Sequence, residues 1–152
     1  MNRDPGGGQV IIRKRIPATP EELFDAWMDP VGMREWMCPG NIESAEVQIE
    51  PRVGGSLVII MRGSGETVEH RGEFRVIERP AKLAFTWTAK ATGWRATLVT
   101  IEFLEISPNE TELVLTHQDI PKSDVRDQYR GGWSQIIDRL RQYLQKGDQI
   151  NG

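Results

Sequence analysis

His70 and His117 are the only imidazoles in this 152-residue chain, and five tryptophans stand at positions 27, 36, 87, 94 and 133. Imidazole titrates nearest to neutrality of the side chains and can give or take a proton at either ring nitrogen. A buried histidine therefore has three uses. It can hydrogen-bond a polar group of a ligand, act as a general base, or sit satisfied against backbone or a neighbouring acid. Zinc chemistry is not expected, because two histidines without an inward cysteine or aspartate nearby fall short of the three or four ligands zinc requires. Cys38 is the single cysteine, so it forms no internal disulfide and is a poor metal ligand without others. The chain lacks G-x-S-x-G, G-x-x-x-x-G-K-[ST], H-E-x-x-H and C-x-x-C. Gly63-Ser64-Gly65 follows a strand, but the helix that would complete a phosphate site does not follow it. No catalytic residue, metal or cofactor is assigned on these grounds.

The elements that must position the histidines are legible from periodicity. From Ser123 to Lys146 apolar residues fall at Val125, Tyr129, Trp133, Ile136, Ile137, Leu140, Tyr143 and Leu144. Gaps of three and four place them on one stripe of a long helix. Ser123 can cap its start, and Lys146 with Gly147 can close its end. Gly131-Gly132 interrupts it at a cost of about 1 kcal/mol per glycine. That turn either packs closely against a sheet or borders a cavity. Before this helix the period is two. Gln9 to Ile16 reads as a strand, and Thr19-Pro20-Glu21-Glu22 as a capped helix start. A second short helix carries Val31, Met33, Trp36 and Met37. Six strands in hairpin succession follow from Ile42 to His117, punctuated by Gly54-Gly55, Gly63-Ser64-Gly65, Arg79-Pro80 and Pro108-Asn109.

Such an order gives an antiparallel sheet whose apolar concave face only the long helix can cover. At inward parity lie Leu57, Ile59 and Met61; His70, Phe74 and Val76; Phe85 and Trp87; Val99, Ile101 and Phe103; Leu115 and His117. The candidate ligand-binding set is Trp36, Met61, His70, Phe85, Trp87, Val99, Ile101, His117, Trp133 and Ile137. It is largely apolar with a few polar groups, the usual lining of a small-molecule site. The same side chains could equally interdigitate into a filled core. On the outer face, Glu69, Arg71, Glu73 and Arg75 read as cross-strand salt bridging. Val58 and Ile60, also outward, mark either a dimer patch or residues covered by neighbours, so monomer and homodimer both stay open.

Composition bounds the function classes. Hydrophobic content of 38%, charged content of 27% and a formal charge of −3 suit one globular domain and give no electrostatic footprint for nucleic acid. The sequence has no run of 18 apolar residues to span a membrane, and its polar, glycine-rich start does not read as a signal peptide. The expected organisation is a flexible stretch at 1–8, one domain over 9–146 and a flexible end at 147–152, in the cytoplasm.

Several stretches also carry a resemblance. They are Ile16-Pro17-Ala18-Thr19-Pro20-Glu21-Glu22-Leu23-Phe24-Asp25-Ala26-Trp27, Arg34-Glu35-Trp36, Val53-Gly54-Gly55-Ser56, Gly72-Glu73-Phe74-Arg75-Val76-Ile77-Glu78-Arg79-Pro80, Leu83-Ala84-Phe85-Thr86-Trp87 and Gly131-Gly132-Trp133. In this order they resemble the START/Bet v 1-like (SRPBCC) superfamily, and within it the Activator of Hsp90 ATPase homologue 1-like family. The resemblance implies an α+β helix-grip fold: a seven-stranded antiparallel sheet wrapped around a long C-terminal helix, with two short helices between strands one and two. It implies no shared catalytic motif, and it brings a possible chaperone partner and a stress-response setting. Three functions follow as expectations. The first is binding of a small hydrophobic or aromatic molecule between sheet and helix, without defined catalysis. The second is a cyclase- or hydrolase-type enzyme with an inward histidine as base, and the third a co-chaperone-like interaction module.

Overall fold

The computed structural model describes the backbone of residues 8–151 and the side chains of residues 8–146. Its elements run β1 (Gly8–Ile16), α1 (Pro20–Ala26), α2 (Pro30–Trp36), β2 (Ser44–Ile49), β3 (Ser56–Gly63), β4 (Glu66–Glu78), β5 (Lys82–Ala89), β6 (Thr97–Ser107), β7 (Glu110–Ile120) and α3 (Ser123–Asn151). A 3-10 turn, Lys90–Thr92, joins β5 to β6. The strands form one antiparallel sheet in the order β1-β7-β6-β5-β4-β3-β2, the first strand returning to pair with the last. This is the helix-grip arrangement, with two short helices between β1 and β2.

Local chemistry accounts for the element starts. Thr19 and Glu22 complete a reciprocal capping box, each side chain taking the other's backbone N–H at 3.1 and 3.0 Å. Asp29 caps α2 by accepting from Val31 N at 3.1 Å, with Pro30 at the first helical position. Gly72 is demanded by the sheet itself, since a Cβ there would lie 2.1 Å from the Thr86 carbonyl oxygen of β5. The concave face holds the core. Phe24 of α1 meets Phe103 edge-on at 6.0 Å, and Trp133 of α3 meets Trp87 of β5 at 5.0 Å. Lys14 of β1 fastens α3 by donating to Asp138 at 2.7 Å and to the Ser134 carbonyl at 3.3 Å.

Four local expectations change. A register shift between Phe74 and Val76 adds one residue to β4, so Ile77 packs on the core and Val76 turns to the outer face beside Ala84. The outer charges of β4 pair along the strand, Glu69 with Arg71 and Glu73 with Arg75, rather than across it. The diglycine neither packs against the sheet nor borders the interior. A Cβ on Gly131 would meet nothing within 4 Å, and one on Gly132 only Pro39 Cβ at 4.0 Å. Finally, α3 does not end at a Gly147 cap but continues to Asn151, and Gly8 already belongs to β1. The expected mobility of residues 1–7 and 152 lies outside the described residues.

Candidate functional site

All ten candidate residues belong to the interior, none more than 7% exposed. The sheet places His70 on β4, Phe85 and Trp87 on β5, Val99 and Ile101 on β6, and His117 on β7. Helix α3 adds Trp133 and Ile137 from above. Their rings form one cluster around Trp87, with centroids 4.7 Å from His70, 5.0 Å from Trp133, 6.1 Å from Phe85 and 6.5 Å from His117. Trp36 stands apart from it, reached through Trp27, which lies 4.8 Å from Trp36 and 6.3 Å from Trp133. Met61, Val99, Ile101 and Ile137 complete the apolar wall.

The two histidines are treated differently. Trp133 Nε1 donates to His117 Nδ1 at 3.0 Å, and an indole N–H can only donate, so Nδ1 carries the lone pair. The ring proton then sits on Nε2, 2.7 Å from Thr97 Oγ1, and the Thr97 hydroxyl donates onward to the Trp87 carbonyl at 2.6 Å. The tautomer is assigned from this network. Burial pushes the His117 imidazole down to about 3, so it stays neutral. Both nitrogens are committed inside the protein, leaving neither lone pair nor proton for a substrate.

His70 is also buried, and burial pushes it down to about 4, partly opposed by the Ile59 backbone and the nearby Glu69 charge. Its Nδ1 has no hydrogen-bond partner. A conjugate acid that weak makes a poor general base at neutral pH, but an unpartnered buried ring nitrogen costs about 1–3 kcal/mol until something meets it. The indole N–H groups of Trp27 and Trp36 are likewise buried without partners.

A cleft of about 640 Å³ opens at the His70 end of the sheet, lined by Glu66, Thr67, Val68 and Glu69 of β4 and by Lys90, Ala91 and Trp94 after β5. Glu66 and Val68 share the face of β4 that carries His70, and Ala89 pairs with His70 across the ladder. The lining stops short of His70 and of Ala89, at Glu69 on β4 and Lys90 after β5. Trp94 is 58% exposed and held at φ 60°, a left-handed conformation uncommon for a bulky residue. Among the described residues no group of three or more His, Cys, Asp and Glu side chains could hold a metal ion.

Sequence reasoning left three participants out of the set. Thr97 lies at inward parity on β6, and an inward hydroxyl two residues from the position opposite His117 was the signal for it. Tyr129 lies on the α3 stripe, where its hydroxyl accepts from Trp87 Nε1 at 3.2 Å and its ring stands 4.6 Å from His117. Burial pushes the Tyr129 phenol up, partly opposed by the Trp87 bond. Trp94, between two strands, offered no periodicity at all.

Comparison with known proteins agrees with the fold. A family model described as activator of Hsp90 ATPase homolog 1-like protein matches residues 17–145. An HSP90 activator from Plasmodium falciparum superposes with a TM-score of 0.75 at 25% identity, over 91% of this chain and 96% of that one. A protein of Rhodobacter sphaeroides gives 0.77 at 24% identity, over 94% and 97%. One of Nitrosomonas europaea gives 0.78 at 16%, over 97% and 99%. No curated protein matches the sequence.

Proposed function

The chain belongs to the Activator of Hsp90 ATPase homologue 1-like family, and from that premise we propose that it binds a small apolar or aromatic molecule between the sheet and α3, without catalysis. The observation that carries the reading is His70: a buried ring nitrogen without a partner, set in an aromatic cluster beneath α3. Apolar lining with a few polar groups is what small-molecule sites use, the polar groups fixing orientation. The enzymatic alternative is weaker, since His117 is fully engaged and His70 is a poor base. The binding pocket is the proposed role of Trp36, Met61, His70, Phe85, Trp87, Val99, Ile101, His117, Trp133 and Ile137. Tryptophan-fluorescence titration with naphthalene tests it, because Trp87 and Trp133 lie in the proposed wall. Saturable quenching with a rise in Tm is expected. Quenching that stays linear, with Tm unmoved, removes the reading.

A second reading has its own support. The family's name and the Plasmodium falciparum HSP90 activator, similar over nearly its whole length, favour a chaperone partner. Adding the protein to Hsp90 and measuring ATP turnover tests this directly, and unchanged turnover counts against it. A cytoplasmic location and a stress-response role go with that reading. No helix among the described residues is long and apolar enough to cross a membrane. Val58 and Ile60, partly covered on the outer face, leave the homodimer as a matter for sedimentation.

A further inference from the structure

Strand β4 outruns the strand beside it. It begins at Glu66, whereas β5 ends at Ala89, one place beyond Thr88 and opposite His70, so the β4–β5 ladder leaves Glu66 to Glu69 without a partner on that side. The chain departs there because the 3-10 turn closes on itself. Gly93 N donates to the Lys90 carbonyl and Trp94 N to the Ala89 carbonyl, both at 2.9 Å, with Gly93 at φ 66°. Backbone groups along a strand point alternately to its two neighbours. Phe74 N donates to the Gly55 carbonyl on the β3 side at 2.9 Å, and Glu73 N to Thr86 Oγ1 of β5 at 2.9 Å. The register with β3 is unbroken from Glu73 to Glu66, so the even-numbered residues face β3 throughout. The N–H and C=O of Thr67 and the N–H of Glu69 therefore face the gap. The cleft of about 640 Å³ is that gap, walled on its far side by Lys90, Ala91 and Trp94.

We infer that this gap docks an extended peptide segment of another protein, added as a short strand along Thr67 to Glu69. An open strand edge recognises polypeptide through its main chain, and the side chains beside it set which sequence fits. Val68, Ala91 and the exposed ring of Trp94 take an apolar or aromatic side chain. Glu69 is already paired with Arg71, whereas Glu66 is in no ion pair among the described residues, which suits one basic residue on the segment. Lys90 on the opposite wall disfavours a polybasic run. A second copy of this chain is the poorer occupant. Two such edges laid together would bring Glu66 and Glu69 of one copy against those of the other. An edge of about 13 Å also supplies little of the roughly 1,200 Å² that a stable interface buries. The site lies apart from the interior between the sheet and α3, so its test is separate from that of small-molecule binding.

Titration of the isotope-labelled protein with the capped peptide acetyl-Thr-Lys-Val-Tyr-Val-Thr-amide, read by NMR and amide hydrogen exchange, tests the inference. In the free protein the Thr67 and Glu69 amides should exchange faster than that of Val68, which faces β3. Peptide at about ten times its Kd should slow both by about tenfold and leave Val68 unmoved. The same peptide N-methylated at every second residue, made in each of the two phases, should lose binding in one of them. Trp94→Ala, on the surface, should weaken binding about tenfold. Thr67→Pro withdraws an N–H that faces the gap and not β3, and should abolish binding with the urea midpoint kept. Should that variant unfold, the N-methylated peptides put the same question to the parent. Thr67 and Glu69 amides unmoved at about 1 mM peptide overturn the inference, as does equal binding by both N-methylated forms. Protection of both amides that grows with protein concentration, with a dimer in sedimentation, gives the edge to a second copy and overturns it too.

Discussion

His70 and His117 both lie against Trp87, are almost equally buried, and are both neutral, yet they stand in opposite conditions. His117 closes a directed chain from Trp133 through Thr97 to the Trp87 carbonyl, joining α3 to β7, β6 and β5 with every proton and lone pair used. His70 lies on β4 with Nδ1 buried and without a hydrogen-bond partner. A satisfied buried network rigidifies a fold, whereas a half-satisfied one is a standing demand for another polar group. The β5–β7 half of the sheet, with α3 docked on it, is therefore the frame. On the proposed binding reading, His70 on β4 is the point where that frame would take a ligand's polar group. Residue type and burial did not separate these roles; hydrogen-bond accounting did.

The comparison can be broken or sharpened by measurement. The largest effect should come from acid, because both imidazoles are neutral in the fold and titrate near 6.5 when unfolded. Their contribution is fully present above pH 6.5 and is lost as pH falls toward 4 for His70 and 3 for His117. By pH 5 that amounts to roughly 2 kcal/mol for each. Urea midpoints at pH 7 and pH 5 read it, and the difference should shrink in His70→Leu. Equal midpoints in the parent would show that neither ring is as desolvated as its position indicates.

Next in size is Thr97→Val, which strands the His117 Nε2–H while the Trp87 carbonyl keeps its place in the ladder. A loss of about 1–3 kcal/mol is expected from the buried group left unpaired. Trp133→Phe keeps most of the ring but withdraws the donor from His117 Nδ1, for about 1–3 kcal/mol. Thermal or urea unfolding of the two variants checks both, and near-silence in either would mean the chain does not hold the frame. The smallest effect belongs to His70→Leu at pH 7, within about 1 kcal/mol of the parent, since it removes a polar group that had no partner. A loss as large as that of Thr97→Val would put His70 in the frame too and cancel the contrast.

Much of the frame could be read from residue order. Alternation placed the strands, Thr19 and Glu22 announced α1, and the stripe from Val125 to Leu144 announced α3. What escaped notice was set by neighbours distant in sequence. Period-two counting carried Val76 inward because it cannot see the extra residue between Phe74 and Val76. Gly131-Gly132 looked like room made for something, but the turn faces open space and Pro39. Gly147 looked like a stop, yet α3 passes through it, because one glycine lowers helix propensity without forbidding a helix. The ten candidate residues were chosen by parity and do share the interior. Parity could not assign Thr97 its role, because the hydroxyl matters only once Val99 is set opposite His117. Nor could it find a cleft made where the 3-10 turn approaches the start of β4.

The pairing of β1 with β7 has a consequence in time. Gly8 lies opposite Ile120, and Ile16 opposite Thr111, so β1 has no partner in the sheet until β7 has emerged from the ribosome. Lys14 then waits longer still for Asp138. Contacts this far apart along the chain close large loops before they return any stabilisation, which slows folding in proportion to their share of the fold. The hairpins from β2 to β6 can assemble as they are synthesised, but the sheet acquires its far edge and its gripped helix only at the end. A nascent chain arrested before Thr111 would hold a curved five-stranded sheet, β2 to β6, with its apolar face uncovered by α3.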